Sequence, residues 1–276
     1  MRILFDHRRS TDSTMNLARC LASMPAICEE SDEKGPFDLL VAMADTQTAG
    51  RGRVSGRRWE DRAGSSFLAT LGFPGIQGLG EALPLKMGLA VVKALGSRYG
   101  AQNLSIKWPN DILAPKLYQE GKGIGKLGGI LCEASGSWFF SGIGLNIRKD
   151  AYDPSRLPEA TSLEEALGDP CRGMILEVSV EERRALAETI GDYFLRLTTS
   201  AGWKEEVLSL LWGKGSIRSF ELGTAGSGRI IEGKIHGIDE DGALVIELET
   251  GELASFHSGE LRFLRSPVEP SRASRS

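Results

Sequence analysis

Residues 47–53 are the first part of the chain whose residue types indicate chemistry. They read Gln-Thr-Ala-Gly-Arg-Gly-Arg, so glycines alternate with Arg51 and Arg53. Glycine lets the backbone pass close to an anion, and a planar guanidinium group can hold a phosphate or carboxylate through two hydrogen bonds. The same composition is typical of solvated loops and RNA-binding tails. The segment alone predicts an anion-binding loop and leaves those alternatives open.

Three later segments place polar or small residues near predicted strand ends. In residues 107–111 a proline should end a strand and leave Asn110 and Asp111 exposed, suited to Mg²⁺ or a triphosphate; the alternative is an Asn-Asp turn. In residues 125–133 a lysine precedes a strand thinned by glycine, although a lysine at a strand edge also guards against edge pairing. Residues 142–147 place further small residues beside what could be the same pocket, or form a tight turn.

Composition and charge exclude several classes of protein. The 276 residues carry 33 basic and 37 acidic side chains, a net charge of −4, so the surface as a whole is not built for nucleic acid. No run reaches the roughly 18 apolar residues of a membrane span, and the first residues lack a signal-peptide core, so we expect a cytoplasmic protein. The four cysteines suit reduced thiols, and the three histidines form no cluster for a zinc hydrolase.

The elements that must position these segments are predicted from apolar spacing and capping residues. Ser13 or Thr14 can cap a helix, and the pairs Ser162/Glu165 and Ser179/Glu182 match the capping box. Short links between the later strands favour antiparallel pairing over a doubly wound parallel sheet. We predict strands at 38–45, 66–73, 104–107, 127–133 and 138–147, an amphipathic helix at 81–99, and a long surface loop at 46–66.

The hydrophobic pattern of the sequence changes after about residue 213. Short alternating strands with Gly and Asp turns follow, at 230–238 and 243–248. We therefore predict an α+β domain at 1–213, with a mixed, largely antiparallel sheet and flanking helices, and a small β-barrel domain at 214–265. Residues 266–276 are rich in Ser, Arg and Pro, and we expect a frayed tail there.

Taken in order, the four segments resemble those of the biotin protein ligases, which join biotin to a carrier lysine through biotinyl-5′-adenylate. The resemblance runs from about residue 10 to residue 264, and residues 237–244 and 256–260 look like the small SH3-like domain of that family. It implies that 1–213 is the biotin- and adenylate-binding catalytic domain and that 214–265 is SH3-like. It also implies ATP and Mg²⁺ as cofactors, biotin as substrate, and the biotin carboxyl carrier domain of a carboxylase as partner.

The resemblance also implies roles for individual residues. Lys126 and Arg53 are the expected catalytic residues, Asp111 the expected Mg²⁺ ligand, and Trp59 part of the ordered form of the loop. The expected biotin-binding residues are Ser13, Thr14, Gln47, Arg51, Gly52, Arg53, Lys126, Gly128, Gly129 and Gly144. The expected ATP-binding residues are Arg51, Arg53, Trp59, Lys107, Asn110 and Asn146.

Elementary chemistry agrees with these expectations. A carboxylate that attacks the α-phosphate of ATP is repelled by it, so fixed cations and Mg²⁺ must reduce the repulsion and stabilise the leaving pyrophosphate. A loop that closes over the reactive mixed anhydride would exclude water, and the loop at 46–66 suits that role. Transfer to a lysine amine needs no nucleophile from the enzyme.

Three features depart from the family pattern. Met15 stands where many members carry Asn, so a polar contact to biotin is either lost or supplied by Asn16. The spacing from the Gly-Arg loop to Trp59 is one residue longer than usual. Residues 114–125 exceed the short hairpin expected there and contain two further lysines, but Lys126 is preferred because it directly precedes Leu-Gly-Gly-Ile.

Alternative functions remain open at this point. A lipoate or octanoate protein ligase would use the same chemistry on another acyl chain, an arginine-glycine RNA-binding module would have no activity, and a non-catalytic relative would explain the departures. Because the first motif begins near residue 10, we expect no winged-helix domain before it and no binding to nucleic acid; we also expect no membrane association. An exposed strand edge of the central sheet would permit a homodimer.

Overall fold

A large mixed sheet organises the first part of the protein. The structure, a computed structural model, describes residues 1–24, 37–53, 58–75, 79, 81–118, 121–168, 178–222 and 228–261. The strands of this sheet are β1 Ile3–Thr11, β2 Leu39–Gln47, β3 Ser66–Pro74, β4 Ser105–Lys107, β5 Asp111–Tyr118, β6 Gly121–Ser135 and β7 Trp138–Asn146. Their order across the sheet is β1-β2-β3-β7-β6-β5-β4. The pair β1–β2 is parallel and the other neighbours are antiparallel, which confirms the predicted mixed, largely antiparallel sheet.

Helices cover both faces of this sheet. They are α1 Thr14–Ala22, α2 Leu83–Tyr99, α3 Leu163–Leu167, α4 Val180–Thr198 and α5 Trp203–Leu210. In β2, Leu39, Val41 and Met43 join the large core beneath α2 and α4, whereas Leu40 and Ala42 pack with α1 on the opposite face. Burial on both faces explains why β2 is a continuous apolar run rather than an alternating one. No helix in the described part of the chain is long and apolar enough to cross a membrane.

The predicted helix starts are confirmed by their capping contacts. Ser13 precedes α1 and its side chain accepts a hydrogen bond from the Met15 amide at 3.2 Å. The hydroxyl groups of Ser162 and Ser179 accept from the amides three residues later, each at 3.1 Å. These contacts satisfy backbone donors that a helix leaves unpaired at its first turn.

Several elements were not predicted from the sequence. β1 was missed because it is a half-buried edge strand whose second half is polar, and α5 was missed as well. β5 was also missed, and with it the exposure predicted for Asp111 was wrong. Asp111 is the first residue of β5, pairs with Gly129 of β6, and is 8% exposed.

A second, smaller antiparallel sheet follows. Its strands are β8 Ile217–Leu222, β9 Arg229–Ile238, β10 Leu244–Leu248, β11 Leu253–Phe256 and β12 Glu260–Leu261, in the order β11-β10-β9-β8-β12. This confirms a small β domain after the α+β part, as expected of an SH3-like module, while the boundaries 1–213 and 214–265 stay predictions. The predicted tail, 266–276, lies outside the described residues.

The second sheet packs directly on the segment 107–111. The Trp108 indole N–H donates to the Gly242 carbonyl at 2.9 Å, and its ring lies 5.9 Å from that of Phe220. Gly259 approaches Phe220 so closely that a Cβ there would lie 2.1 Å from the ring, and its φ of +139° also favours glycine. The small sheet is thus joined to the part of the chain that carries the candidate site residues.

Candidate active site

One cavity gathers most of the residues that the sequence singled out. It lies where the start of α1, the end of β2, the glycine-arginine loop and strands β6 and β7 meet. The predicted residues that line it are Ser13, Thr14, Gln47, Arg51, Gly52, Arg53, Trp59, Asn110, Lys126, Gly129 and Gly144. Four predicted residues do not line it: Lys107, Asp111, Gly128 and Asn146.

The sequence analysis assigned no ligand-binding role to several lining residues, although four of them lie in the segments 125–133 and 142–147 that it singled out. They are Thr70, Ile130, Leu131, Gly142 and Ile143, together with Met15, which had been noted only as a departure. Thr70 could have been found, because it is a fully buried polar residue in the middle of an apolar strand. Asn16 is not among the described residues that line the cavity, and its predicted contact in place of residue 15 stays a prediction.

The inner end of the cavity is polar. The Gln47 side-chain oxygen accepts from the amide of Thr14 at 2.8 Å and from its hydroxyl at 3.2 Å. Thr70 donates its hydroxyl to that of Thr14 at 2.9 Å. Strands β2 and β3 and the start of α1 therefore hold these side chains in one network, suited to a small ligand with hydrogen-bonding groups at its buried end.

Trp59 forms an apolar wall of the cavity. Its amide donates to the Gly50 carbonyl at 3.1 Å, and a Cβ at position 144 would lie 2.8 Å from its ring. Only glycine at 144 lets the indole lie against β7. The Trp59 indole nitrogen is buried and has no hydrogen-bond partner among the described residues. Arg51 and Arg58 pair through an isolated antiparallel β-bridge, which brings the two sides of the loop together. Trp59 therefore reaches the cavity despite the extra residue between the Gly-Arg segment and the tryptophan.

The outer end of the cavity carries cationic side chains. Lys126 Nζ lies 2.7 Å from Asp111 Oδ1, and Lys107 Nζ lies 3.6 Å from Oδ2 of the same carboxylate. The Lys126 side chain is 38% exposed, whereas Lys107 is almost fully buried. Burial lowers the pKa of Lys107, and the nearby Asp111 carboxylate acts in the opposite direction. Lys126 is thus the lysine of this pair that reaches the cavity.

A β-bulge in β6 decides which residues face the cavity. Ile112 pairs with Gly128 and Leu113 with Lys126, so Leu127 is an extra residue opposite β5. A bulge shifts the alternation of side chains by one position, which puts Lys126 and Gly129 on the same face. Gly128 instead allows β6 to approach β7, because a Cβ there would lie 2.4 Å from the Gly144 carbonyl oxygen.

Arg51 and Arg53, the two arginines of the Gly-Arg-Gly-Arg segment, are hydrogen-bonded to the surrounding chain. Arg51 donates to the Asn16 side-chain oxygen at 2.8 Å, and Asn16 donates to Asp12 at 2.6 Å. The hydrogen bond from Asn16 is the main cause that lowers the pKa of Asp12. Arg53 donates to the backbone carbonyl of Gly259 at 2.7 Å, so it contacts the small C-terminal sheet.

The two asparagines have different positions. Asn110 lines the cavity while its side chain donates to the Ile130 carbonyl at 2.7 Å. Asn146 is buried and donates to the Thr161 carbonyl at 3.0 Å. In this structure Asn146 supports the segment beside β6 rather than contacting the cavity.

Among the described residues, the carboxylates near the cavity do not form a dedicated metal site. In the described part of the chain, no group of three or more His, Cys, Asp or Glu side chains is placed to hold a metal ion. Mg²⁺ in nucleotide sites is held by one or two carboxylates together with phosphate oxygens and water. Asp111 is a single carboxylate outside the cavity lining and is paired with Lys126, and its role as a Mg²⁺ ligand stays a prediction.

Comparison with known proteins assigns the chain to a family. A sequence model described as "Biotin/lipoate A/B protein ligase family" matches residues 11–150, and one described as "Biotin protein ligase C terminal domain" matches residues 223–263. The first match covers about half of the 276 residues. The chain therefore belongs to the biotin/lipoate A/B protein ligase family.

Individual relatives agree with this assignment. The chain is 31% identical over 240 residues to a bifunctional ligase/repressor BirA of Bacillus spizizenii, covering 81% of this chain and 66% of the relative. It is 32% identical over 228 residues to a biotin–[acetyl-CoA-carboxylase] ligase of Paracoccus denitrificans, covering 76% and 84%. A solved biotin protein ligase from Aquifex aeolicus, in complex with biotin and ATP, matches with a TM-score of 0.67 at 26% identity, covering 95% and 99%. The chain thus spans slightly less than two thirds of the Bacillus relative.

Proposed function

We propose that this protein is an ATP-dependent ligase that activates biotin as biotinyl-5′-AMP and transfers it to a lysine of a biotin carboxyl carrier domain. The observation that carries the proposal is one cavity with a hydrogen-bonding inner end, a tryptophan wall and cations at its outer end. This order suits a bicyclic ring with polar groups, an apolar chain and a carboxylate. The names of the relatives and the Aquifex aeolicus complex support the same ligands.

The residue roles follow the two ends of the cavity. We propose that Ser13, Thr14 and Gln47 bind the biotin ring, while Gly52, Gly129 and Gly144 leave room for the ligand. At the outer end, Lys126, Arg51 and Arg53 would bind the carboxylate and the α-phosphate. Asn110 and Trp59 would contact the adenylate. Lys107, Gly128 and Asn146 would support the site from outside the cavity lining.

In the first step, a carboxylate oxygen of biotin attacks the α-phosphorus and the bond to pyrophosphate breaks. Lys126, Arg51 and Arg53 would reduce the repulsion between the two anions and stabilise the charge that develops. Magnesium ions bound with ATP would neutralise charge on the leaving pyrophosphate, with Asp111 as the proposed protein ligand. The loop that carries Trp59 would exclude water from the mixed anhydride.

In the second step, a neutral lysine amine of the carrier attacks the carbonyl carbon and AMP leaves with the electrons of the broken C–O bond. The enzyme would have to hold the adenylate and bind the phosphate of the leaving AMP, and the position of Lys126 and Arg53 in the cavity lining supports these two residues for that role. Holding two reactants in the reacting geometry contributes about 7 to 11 kcal/mol in the best intramolecular examples.

The test is ATP–pyrophosphate exchange on the purified chain with Mg²⁺ and one activating acid at a time. We expect exchange with biotin and none with lipoate or octanoate. Exchange driven by lipoate or octanoate alone would keep the mechanism and replace the substrate. Absence of exchange with every acid would favour a non-catalytic relative. The first changes to test would then be Met15→Asn and the removal of one residue from the loop, which restore the family pattern.

Three further properties complete the proposal. The described cysteines, Cys20 and Cys132, are free thiols, which fits a reducing compartment such as the cytoplasm. A carboxylase carrier domain as acceptor is tested by transfer of biotin to the purified domain. Pairing of two chains into a homodimer is tested by light scattering with and without biotin and ATP.

A further inference from the structure

A buried lysine outside the cavity holds the segment beside β6. Lys116 of β5 is 8% exposed, and its ammonium group donates to the carbonyl oxygens of Pro158 at 2.6 Å and Ala160 at 2.5 Å. The same ammonium lies 5.0 Å from the centre of the Tyr118 ring and 5.9 Å from that of Tyr152. Two carbonyls and two aromatic faces therefore replace the water that a surface lysine would bind.

The segment that Lys116 holds is also the backbone partner of Lys126. The Lys126 amide donates to the Glu159 carbonyl at 2.7 Å, and the Thr161 amide donates to the Lys126 carbonyl at 2.9 Å. The pairing of β6 with β7 begins only at Gly128. Residues 159–161 therefore supply, at Lys126, the neighbour that β7 supplies further along the strand.

Lys116, the segment 159–161 and strand β6 meet at Gly125, the residue before Lys126. A Cβ at this position would lie 2.9 Å from Lys116 Cδ, 2.9 Å from Thr161 Cβ and 3.0 Å from the Glu159 carbonyl oxygen. A side chain at position 125 would therefore require Lys116, Thr161 or the Glu159 backbone to shift. The lysine stem, the 159–161 segment and the backbone beside Lys126 thus form one packed junction.

We propose that Lys116 is a positioning residue for Lys126: by bonding the carbonyls on either side of Glu159, it fixes the backbone that aims the Lys126 ammonium into the cavity. The inference rests on the proposed function, in which Lys126 binds the carboxylate of the substrate. If the Lys116 ammonium is removed, the buried carbonyl of Ala160 and the more exposed carbonyl of Pro158 lose this donor, and we expect the segment to move so that the Ala160 carbonyl reaches water. A displacement of about 1 Å at a reacting group is enough to impair positioning strongly.

The test compares the binding of biotin with that of biotinol, in which a neutral hydroxymethyl group replaces the carboxylate. Both dissociation constants are measured by calorimetry without ATP, and their ratio reports how well cations meet the carboxylate. The variants are Lys116→Met, which keeps the length of the stem, and Lys126→Ala as the reference. Lys122→Met is the matched control, because Lys122 is an exposed lysine on the same hairpin.

We expect the wild type and Lys122→Met to prefer biotin roughly tenfold, about the strength of one charge-assisted hydrogen bond. In Lys116→Met the preference for biotin over biotinol should fall to within about twofold of the value in Lys126→Ala. The affinity for biotinol should stay that of the wild type. A merely structural role would weaken both ligands equally and leave the ratio unchanged, which would overturn the proposal.

Gly125→Ala provides a second variant in case Lys116→Met does not fold. It keeps the charge of Lys116 and displaces the junction, so it should lower the same ratio; an unchanged ratio in this variant would contradict the proposal. If the wild type itself shows no preference for biotin over biotinol, the role of Lys126 at the carboxylate and the inference fail together, while pyrophosphate exchange with biotin tests the proposed function separately. If only Lys126→Ala loses the preference, the inference alone fails.

Discussion

Asp111 forms ion pairs with two lysines at the outer end of the cavity. With Lys126 Nζ at 2.7 Å and Lys107 Nζ at 3.6 Å, the Asp111 carboxylate is shared between two lysines. Lys126 is the more exposed of the two lysines. Under the proposed function, it would exchange Asp111 for the carboxylate of the substrate.

We expect Lys126→Ala to abolish adenylate formation and to leave the fold intact. Loss of one donor that stabilises developing charge lowers kcat about 100- to 1000-fold in other enzymes. Because the side chain is 38% exposed, its removal should cost little stability. Pyrophosphate exchange and thermal unfolding measure the two effects, with Lys122→Ala as control. Exchange at the wild-type rate would remove Lys126 from the mechanism.

Gly144→Ala should weaken ligand binding by displacing Trp59. The added methyl group would lie 2.8 Å from the indole ring, and overpacking of this kind costs about 1 to 3 kcal/mol. We expect the dissociation constant for biotin to rise by roughly tenfold or more. The control is Gly96→Ala, where the nearest atom is 3.6 Å away. Unchanged affinity in Gly144→Ala would show that the tryptophan wall does not contact the ligand.

At the scale of elements, an ion-pair network joins β1, β2 and α4 behind the cavity. Asp45 of β2 lies 2.8 Å from His7 Nε2 and 2.5 Å from Arg183 Nη2. Arg183 is buried and also donates to the Ala44 carbonyl at 3.2 Å. The network fixes the end of β2, two residues before Gln47, so the position of the polar end of the cavity depends on how α4 is docked.

Asp45→Asn should destabilise the protein and change its acid sensitivity. Burial acts to raise the pKa of Asp45, but hydrogen bonds from Arg183 and His7 outweigh it, and the pKa lies below its ordinary value. The stabilisation is therefore complete above about pH 4, the ordinary pKa of aspartate, and is lost as the pH falls through the lowered pKa. We expect a loss of about 2 kcal/mol near pH 7 and a smaller difference from the wild type below pH 3.

Urea unfolding at several pH values measures this difference, with Asp192→Asn as control for a surface ion pair on α4. A difference between Asp45→Asn and the wild type that stays constant from pH 7 to pH 3 would contradict the assignment.

The elements also show what the sequence can and cannot reveal. Capping residues are local signals, so the helices that begin after Ser13, Ser162 and Ser179 were predictable. The bulge at Leu127 depends on how β6 pairs with a strand distant from it in the chain, so the sequence analysis placed Gly128 in the cavity although it faces β7. The role of residues 158–161 as a partner of β6 likewise depends on tertiary contacts that no sequence spacing records.

At the scale of the whole molecule, the two sheets share the segment that leads into the site. Trp108 donates to Gly242 and packs near Phe220, while its neighbour Lys107 pairs with Asp111. Trp108 thus contributes to the packing between the two sheets, and the residue before it, Lys107, belongs to the cationic group. We infer that the large and small sheets unfold together rather than as separate units.

Trp108→Phe should test this coupling. It keeps an aromatic ring against Phe220 and removes the hydrogen bond to Gly242, which is worth about 1 kcal/mol. We expect a lower melting temperature and one calorimetric transition in both the wild type and the variant. Trp138→Phe, which retains its stacking on Phe140, is the control. Two separate transitions in the wild type would show that the small sheet folds independently.

The hydrogen bond from Arg53 to the carbonyl of Gly259 carries a thermodynamic consequence. No residue of the small sheet lines the cavity in the described part of the chain, yet this bond ties Arg53, which we propose binds an anion, to the segment that leads into β12. A ligand that recruits Arg53 competes with that attachment, and such linkage is reciprocal: whatever factor the ligand imposes on the attachment, the attachment imposes on the ligand. A molecule that binds residues 257–260 would therefore change the affinity of the cavity for its ligand without contacting the cavity, which makes it an allosteric modulator.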